Sequence, residues 1–198
     1  MRREVSRPRT YRIAAGCRPP NPFSDGVVIL RNPEASDAIL LAHYARDERL
    51  LEGKWIGRPT PSAGIDEWAA ETVEEWRAGW TDRGGVDGGV LIIDEKEPFV
   101  GIVFLAPRSH DTLELVYGIL PPVRGYGIAS RAARLAADWA LTAGGFAKIE
   151  LRIGENHTAS RRVAEKAGFS LEELFETYVT GTGRTHIDTL YTRTRQSG

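Results

Sequence analysis

The chain has 198 residues, of which 41% are hydrophobic and 27% charged, with a formal net charge of −1. This is the composition of a globular domain with one substantial core, and its near-neutral charge gives no general attraction to nucleic acid or to an anionic membrane. Cys17 is the only cysteine, which rules out an internal disulfide or a thiolate metal cluster and suits a reducing, cytoplasmic setting; no apolar run nears the ~20 residues of a membrane helix.

Before residue 20, Arg2, Arg3, Arg7, Arg9, Arg12 and Arg18 face only Glu4, and Pro19-Pro20-Asn21-Pro22 follows. Residues 1–25 are expected to be a flexible basic tail, or an arm that touches RNA, with a single domain over 26–198. No apolar segment follows the arginines, so a signal peptide is not expected. Val27-Val28-Ile29-Leu30 predicts a short buried strand. Asn32-Pro33 predicts the start of a helix running to about Arg46. A short helical stretch is expected from Asp47 to about Gly53, then a loop over residues 57–64.

Ile65, Trp68, Thr72, Trp76 and Trp80 recur at spacings of three or four, which predicts an amphipathic helix over residues 65–81. Residues 88–94 and 99–105 flank the turn Glu95-Lys96-Glu97-Pro98 and form a predicted hairpin. Thr112–Leu120 predicts a central strand. Residues 127–143 then form a predicted helix, with Ile128, Ala132, Leu135 and Trp139 on one stripe and Gly144-Gly145 as its stop. A strand over 148–153, a short helix over 158–167 ended by Gly168, and two strands near 169–179 and 186–194 complete the chain. The sum is a mixed α/β domain: antiparallel strands, a β-α-β unit, and a closing hairpin.

Two segments carry the chemistry. In the first, an apolar strand runs into Pro121-Pro122-Val123-Arg124-Gly125-Tyr126-Gly127-Ile128-Ala129 and directly into a helix. The first helical turn leaves N–H groups without partners, the helix dipole adds partial positive charge, and glycines allow close approach of a phosphate. By itself this is equally a steric strand-to-helix turn. The second segment runs from Asn156 through Ser160 to Gly168-Phe169. Alone it reads as a capped helix with a glycine stop, with Asn156 and Thr158 as capping residues. His43, His110, His157 and His186 show no ligand spacing, so no metal is expected.

Together, the two segments resemble the GNAT superfamily of N-acetyltransferases. Arg124, Gly127 and Ala129 fill its pyrophosphate pattern Gln/Arg-x-x-Gly-x-Gly/Ala. Asn156, Ser160, Gly168 and Phe169 fill the Asn-x-x-Ser…Gly-Phe pattern of the RimJ/RimL branch, and Glu114-Leu115-Val116-Tyr117-Gly118-Ile119 looks like that branch's central strand. The resemblance spans about residues 26–194. It implies an α/β (α+β) fold with a mostly antiparallel sheet splayed between the fourth and fifth strands and flanked by helices. It further implies acetyl transfer from acetyl-CoA to a primary amine, of a protein N-terminus or a small molecule, by direct attack in a ternary complex. Dimers are common in the family, though no interface is legible here.

The resemblance also implies roles. Arg124, Gly125, Tyr126, Gly127, Ile128, Ala129 and Ser130 would hold the pyrophosphate, and Asn156 would contact the pantetheine. Backbone N–H groups of Ile119 and Leu120 would polarise the thioester carbonyl. Many relatives carry a tyrosine as proton donor to the thiolate where this chain has Ala164; in the RimJ/RimL branch the donor would be Ser160, which otherwise is a first-turn helix residue. Glu114, in an apolar strand, would be the base for the amine, or else a carboxylate paired with an arginine. Tyr117 would bond substrate or sit in the core. Trp55 and Trp76, in the segment that walls the acceptor site, would line a substrate pocket or pack inside. A non-catalytic acyl-CoA sensor on the same fold is the alternative, against which Glu114 and Ser160 argue.

Overall fold

A computed structural model describes residues 19–46, 64–78, 89–179 and 184–195. The basic segment before residue 19, Cys17, the helical stretch at 47–53, Trp55, Trp80 and the turn at Gly181-Thr182-Gly183 lie outside the described residues. Strands β1 (Phe23–Ser24), β2 (Ile29–Arg31), β3 (Gly89–Asp94), β4 (Gly101–Pro107), β5 (Thr112–Ile119), β6 (Lys148–Gly154), β7 (Ser170–Val179) and β8 (Arg184–Thr194) form one sheet in the order β1-β2-β3-β4-β5-β6-β8-β7. Helices α1 (Asp37–Ala45), α2 (Ile65–Ala78), α3 (Ile128–Leu141) and α4 (Thr158–Lys166) cover it. Every strand pair is antiparallel except β5–β6, where α3 provides the crossover that a parallel pair needs. This is the expected mixed fold. The splay falls between the fifth and sixth strands because Phe23–Ser24, placed in the expected tail, pairs with Ile29–Leu30 as an extra first strand.

Strand alternation assigns the two faces. Leu91 and Ile93 on β3 and Val103 and Leu105 on β4 join the larger core beneath α3 and α4. Ile92 and Ile102, one residue out of step, join a smaller core beneath α1 and α2 with Leu41, Ala69, Val73, Phe99 and Leu120. On α3 the predicted stripe is widened by Ala133, Ala136, Ala137 and Ala140, all fully buried, so the helix lies close to the sheet. Its stop is the expected one: Gly144 N–H donates to Trp139 O at 2.8 Å, and Gly145 takes φ 78°.

Three boundaries differ from expectation for identifiable reasons. β2 begins at Ile29 because the Asp25 carboxylate accepts the N–H groups of Val27 and Val28 at 3.0 and 2.8 Å and holds them in a turn. α1 begins at Asp37, not at Pro33. The buried Asp37 carboxylate accepts Glu34 N–H at 2.7 Å and pairs with Arg31, which also bonds Asp94, so side chains close the turn ahead of the helix. β4 begins at Gly101 because Phe99 leaves the turn with φ 55°. Its N–H donates to Asp94 and its ring stacks between Tyr44 and Trp76, with centroids at 6.0 and 6.4 Å. No helix among the described residues is long and apolar enough to cross a membrane.

Candidate active site

The site begins where two strands part. β5 and β6 pair only over Thr112–Lys148, Leu113–Ile149 and Glu114–Glu150. Beyond that point β5 continues to Ile119 paired with β4 alone. Leu120 N–H donates to Val100 O at 3.0 Å. By the alternation of an antiparallel ladder, Tyr117 and Ile119 therefore turn their N–H and C=O groups away from β4 and into the fork. Leu120 consequently does not supply the expected backbone donor; its N–H is committed to β4, and the donor expectation falls on Ile119 and Tyr117. Gly101 sets how closely β4 and β5 approach here, since a Cβ on it would lie 2.2 Å from Gly118 O.

The fork opens toward the start of α3. A single 3-10 turn, Pro121–Val123, leads out of β5, and the Arg124 Nε donates back to Ile119 O at 3.0 Å, which fixes the turn against the strand end. Gly127 caps α3 with φ 83°, and Gly125 has φ 89°. A Cβ on Gly125 would meet nothing within 4 Å, and one on Gly127 only Ser130 Oγ at 4.0 Å. Left-handed backbone, not lack of room, therefore requires these glycines, and the space beside them is open. The first intrahelical bond runs from Arg131 N–H to Gly127 O at 3.1 Å, so Ile128, Ala129 and Ser130 N–H precede the helical ladder. These open N–H groups, the dipole and the exposed Arg124 fit a phosphate-bearing ligand. The contributions are unequal. Ile128 is buried and offers only backbone, Ser130 Oγ turns back to Gly127 O at 2.9 Å, and Tyr126 projects into solvent at 78% exposure.

The far wall of the fork is β6 with α4. Asn156 is exposed in the turn joining them; the cap of α4 is His157 and carries no side-chain bond, so neither Asn156 nor Thr158 serves as the helix cap. Ser160 is on the first turn of α4, half-buried, and its carbonyl accepts the Tyr117 hydroxyl at 3.2 Å. Burial pushes the Tyr117 phenol up, opposed by this hydrogen bond. Ala164 is fully buried in the core.

Glu114 stands at the apex of the fork on the opposite face, where it is nearly fully buried. Its carboxylate is ion-paired with Arg108 and lies 3.9 Å from Arg152 Nε. This is the geometry of the arginine-paired alternative: both oxygens face guanidinium groups. Burial lowers the Arg108 pKa, helped by repulsion from Arg152 and opposed by Glu150. Arg152 also lies over the Phe175 ring, 5.6 Å from its centroid. Beside it, Arg152, Glu173, Phe175, Glu176, Thr177, Asp188 and Leu190 line a cavity of about 140 Å³. Neither arginine nor this cavity was singled out from sequence; the only available signal was the period-two charge pattern Lys148, Glu150, Arg152 on β6. Trp76, expected to line a pocket or pack inside, is half-buried and stacks on Phe99 against the smaller core. Among the described residues, no group of three histidine, cysteine, aspartate or glutamate side chains could hold a metal ion.

The sheet is thus forked at its one parallel pair, with a glycine turn at the fork's mouth. The model of the acetyltransferase (GNAT) domain matches residues 28–170, and the chain belongs to this family. No curated protein matches the sequence. Among solved structures, the microcin C7 self-immunity acetyltransferase MccE, in complex with acetyl-CoA and AMP, is 17% identical with TM-score 0.72, covering 86% of this chain and 93% of its own. Mycobacterium smegmatis RimJ, in complex with CoA-disulfide, is 23% identical with TM-score 0.68, covering 84% and 81%. The ribosomal-protein-S5-alanine acetyltransferase from Vibrio fischeri is 17% identical with TM-score 0.70, covering 89% and 97%. At these identities the likeness is one of fold.

Proposed function

We propose that this acetyltransferase moves an acetyl group from acetyl-CoA to a primary amine, of a protein N-terminus or a small molecule, by direct attack within a ternary complex. One observation carries the reading: the β5–β6 fork opens onto the N–H-rich start of α3, as an extended amide chain ending in a pyrophosphate requires. Residues 124–130 hold the pyrophosphate, mainly through backbone N–H groups. Tyr117 and Ile119 offer the fork-facing edge of β5 to the pantetheine amides, as an added strand would use it. A fork-facing N–H at Ile119 or Tyr117 polarises the thioester carbonyl. Asn156 lies at the α4 wall of the same opening. A hydroxyl donor to the leaving sulfur is drawn from this neighbourhood, where Ser160 and Tyr117 meet.

The likeness to a ribosomal-protein-S5-alanine acetyltransferase supports a protein among the acceptors, and the likeness to MccE, in complex with acetyl-CoA, supports that donor. Release of free CoA thiol from several acyl-CoAs over a panel of peptides and small amines tests the reading. The expected result is amine-dependent thiol release, fastest with acetyl-CoA. Tight acetyl-CoA binding by calorimetry with no thiol release from any amine would identify a sensor instead.

A further inference from the structure

We propose that the phenol of Tyr117 is the proton donor to the departing CoA sulfur, a role that rests on the acetyl-transfer reading above. Tyr117 lies on the part of β5 that β6 no longer pairs, and it packs against the core beneath α3 and α4 with Leu113, Leu115 and Ile119. Its hydroxyl reaches across to the first turn of α4 and donates to the Ser160 carbonyl at 3.2 Å. The phenol therefore spans both walls of the opening in which a thioester would lie, held there by a backbone atom that no side-chain change removes.

The chemistry matches the position. A phenol is a far stronger acid than an aliphatic hydroxyl and so a closer match to a thiol. Burial keeps the phenol protonated through neutral pH. Charged neighbours are committed elsewhere. On α4, Arg161 bonds the Tyr191 hydroxyl, which in turn donates to Glu165, while Arg162 and Lys166 are exposed. On α3, Arg131 pairs with Asp25, Asp138 with Arg193, and Arg134 reaches the Lys166 carbonyl. On β6, Glu150 and Arg152 lie on the other face, with Glu114. In the step, the amine nitrogen bonds the acetyl carbon and the carbon–sulfur bond breaks with its electron pair on sulfur. The Tyr117 O–H turns from the Ser160 carbonyl to that sulfur and gives up its proton, and the phenolate regains one from the proton that the amine releases to solvent.

The test compares Tyr117→Phe, Ser160→Ala and a variant with 3-fluorotyrosine, a more acidic phenol, at position 117. Phe keeps the ring and loses one hydrogen bond, so a folded variant is expected. Tyr117→Phe should lower kcat about 100-fold with KM and calorimetric Kd for acetyl-CoA changed by no more than about twofold. Ser160→Ala removes the rival hydroxyl and keeps the carbonyl; a kcat loss at least as large as that of Tyr117→Phe would assign the donor to Ser160 and overturn the proposal. Fluorination should move the alkaline limb of the kcat profile to lower pH, which a structural role for the ring would not do. Retention of kcat by Tyr117→Phe within about threefold, or an alkaline limb that fluorination leaves in place, overturns the proposal. If the wild-type chain does not bind acetyl-CoA in the calorimeter, the acetyl-transfer reading itself is wrong and this role falls with it.

Discussion

The two ends of the site are built from different materials. The proposed cofactor end, from the fork-facing edge of β5 to the start of α3, presents mainly backbone N–H groups and depends on glycine conformation. The opposite face, over β5, β6 and β7, presents side chains: Arg108, Glu114, Glu150, Arg152 and Phe175, interlocked by ion pairs and a cation–π contact. A backbone site recognises a constant chemical group and tolerates little local change. A face of side chains can change its selectivity one residue at a time.

Four substitutions can break or sharpen that contrast, from the largest expected effect to the smallest. Gly127→Val places a branched side chain at φ 83° where the pyrophosphate would lie. Acetyl-CoA affinity by calorimetry should fall about 100-fold or more; unchanged affinity in a folded variant would remove the backbone assignment. Glu114→Ala leaves Arg108 and Arg152 without their shared carboxylate and should cost about 2 kcal/mol in urea unfolding, reduced from a fully buried pair because both arginines are partly exposed. Acetyl-CoA affinity should hardly change, so a large loss there would merge the two regions. Arg152→Ala removes the contact to Phe175, worth about 1 kcal/mol, and should alter KM for amines while leaving KM for acetyl-CoA alone.

Asp25 supplies the smallest effect and a pH test. Burial tends to raise its pKa, but Val28 N–H, the Arg131 guanidinium and Val27 N–H outweigh this, and the net shift is downward. A lowered folded-state pKa means that its stabilisation is present above the unfolded value near 3.9 and is lost as pH falls through the folded value. Asp25→Asn should therefore flatten the stability profile slightly below about pH 4 and leave acetyl-CoA affinity unchanged. A variant with the same acid limb as wild type would show that the β1–β2 turn does not depend on this carboxylate.

Much of this architecture was legible in the residues. Apolar runs marked β3 and β5, period-two alternation marked β6, the stripe from Ile128 to Trp139 with Gly144-Gly145 marked α3, and Arg124, Gly127 and Ala129 marked the turn. These signals are local, because a strand face, a helix stripe and a positive φ are each set within a few residues. What stayed hidden depends on residues distant in sequence. Asp37 delays α1 because Arg31 and Asp94 surround it. Phe99 is the residue that Trp76 stacks on, and the Leu120 N–H is bonded to the Val100 carbonyl.

The sequence by itself determined the element order and the glycine turn of the proposed cofactor end, since both follow from local backbone preference and hydrophobic period. Only the tertiary structure decided that Glu114 lies between Arg108 and Arg152 and that the Tyr117 hydroxyl reaches Ser160. Both depend on β5, β6 and α4 being brought together across a crossover, where register and splay, not spacing along the chain, determine which side chains meet.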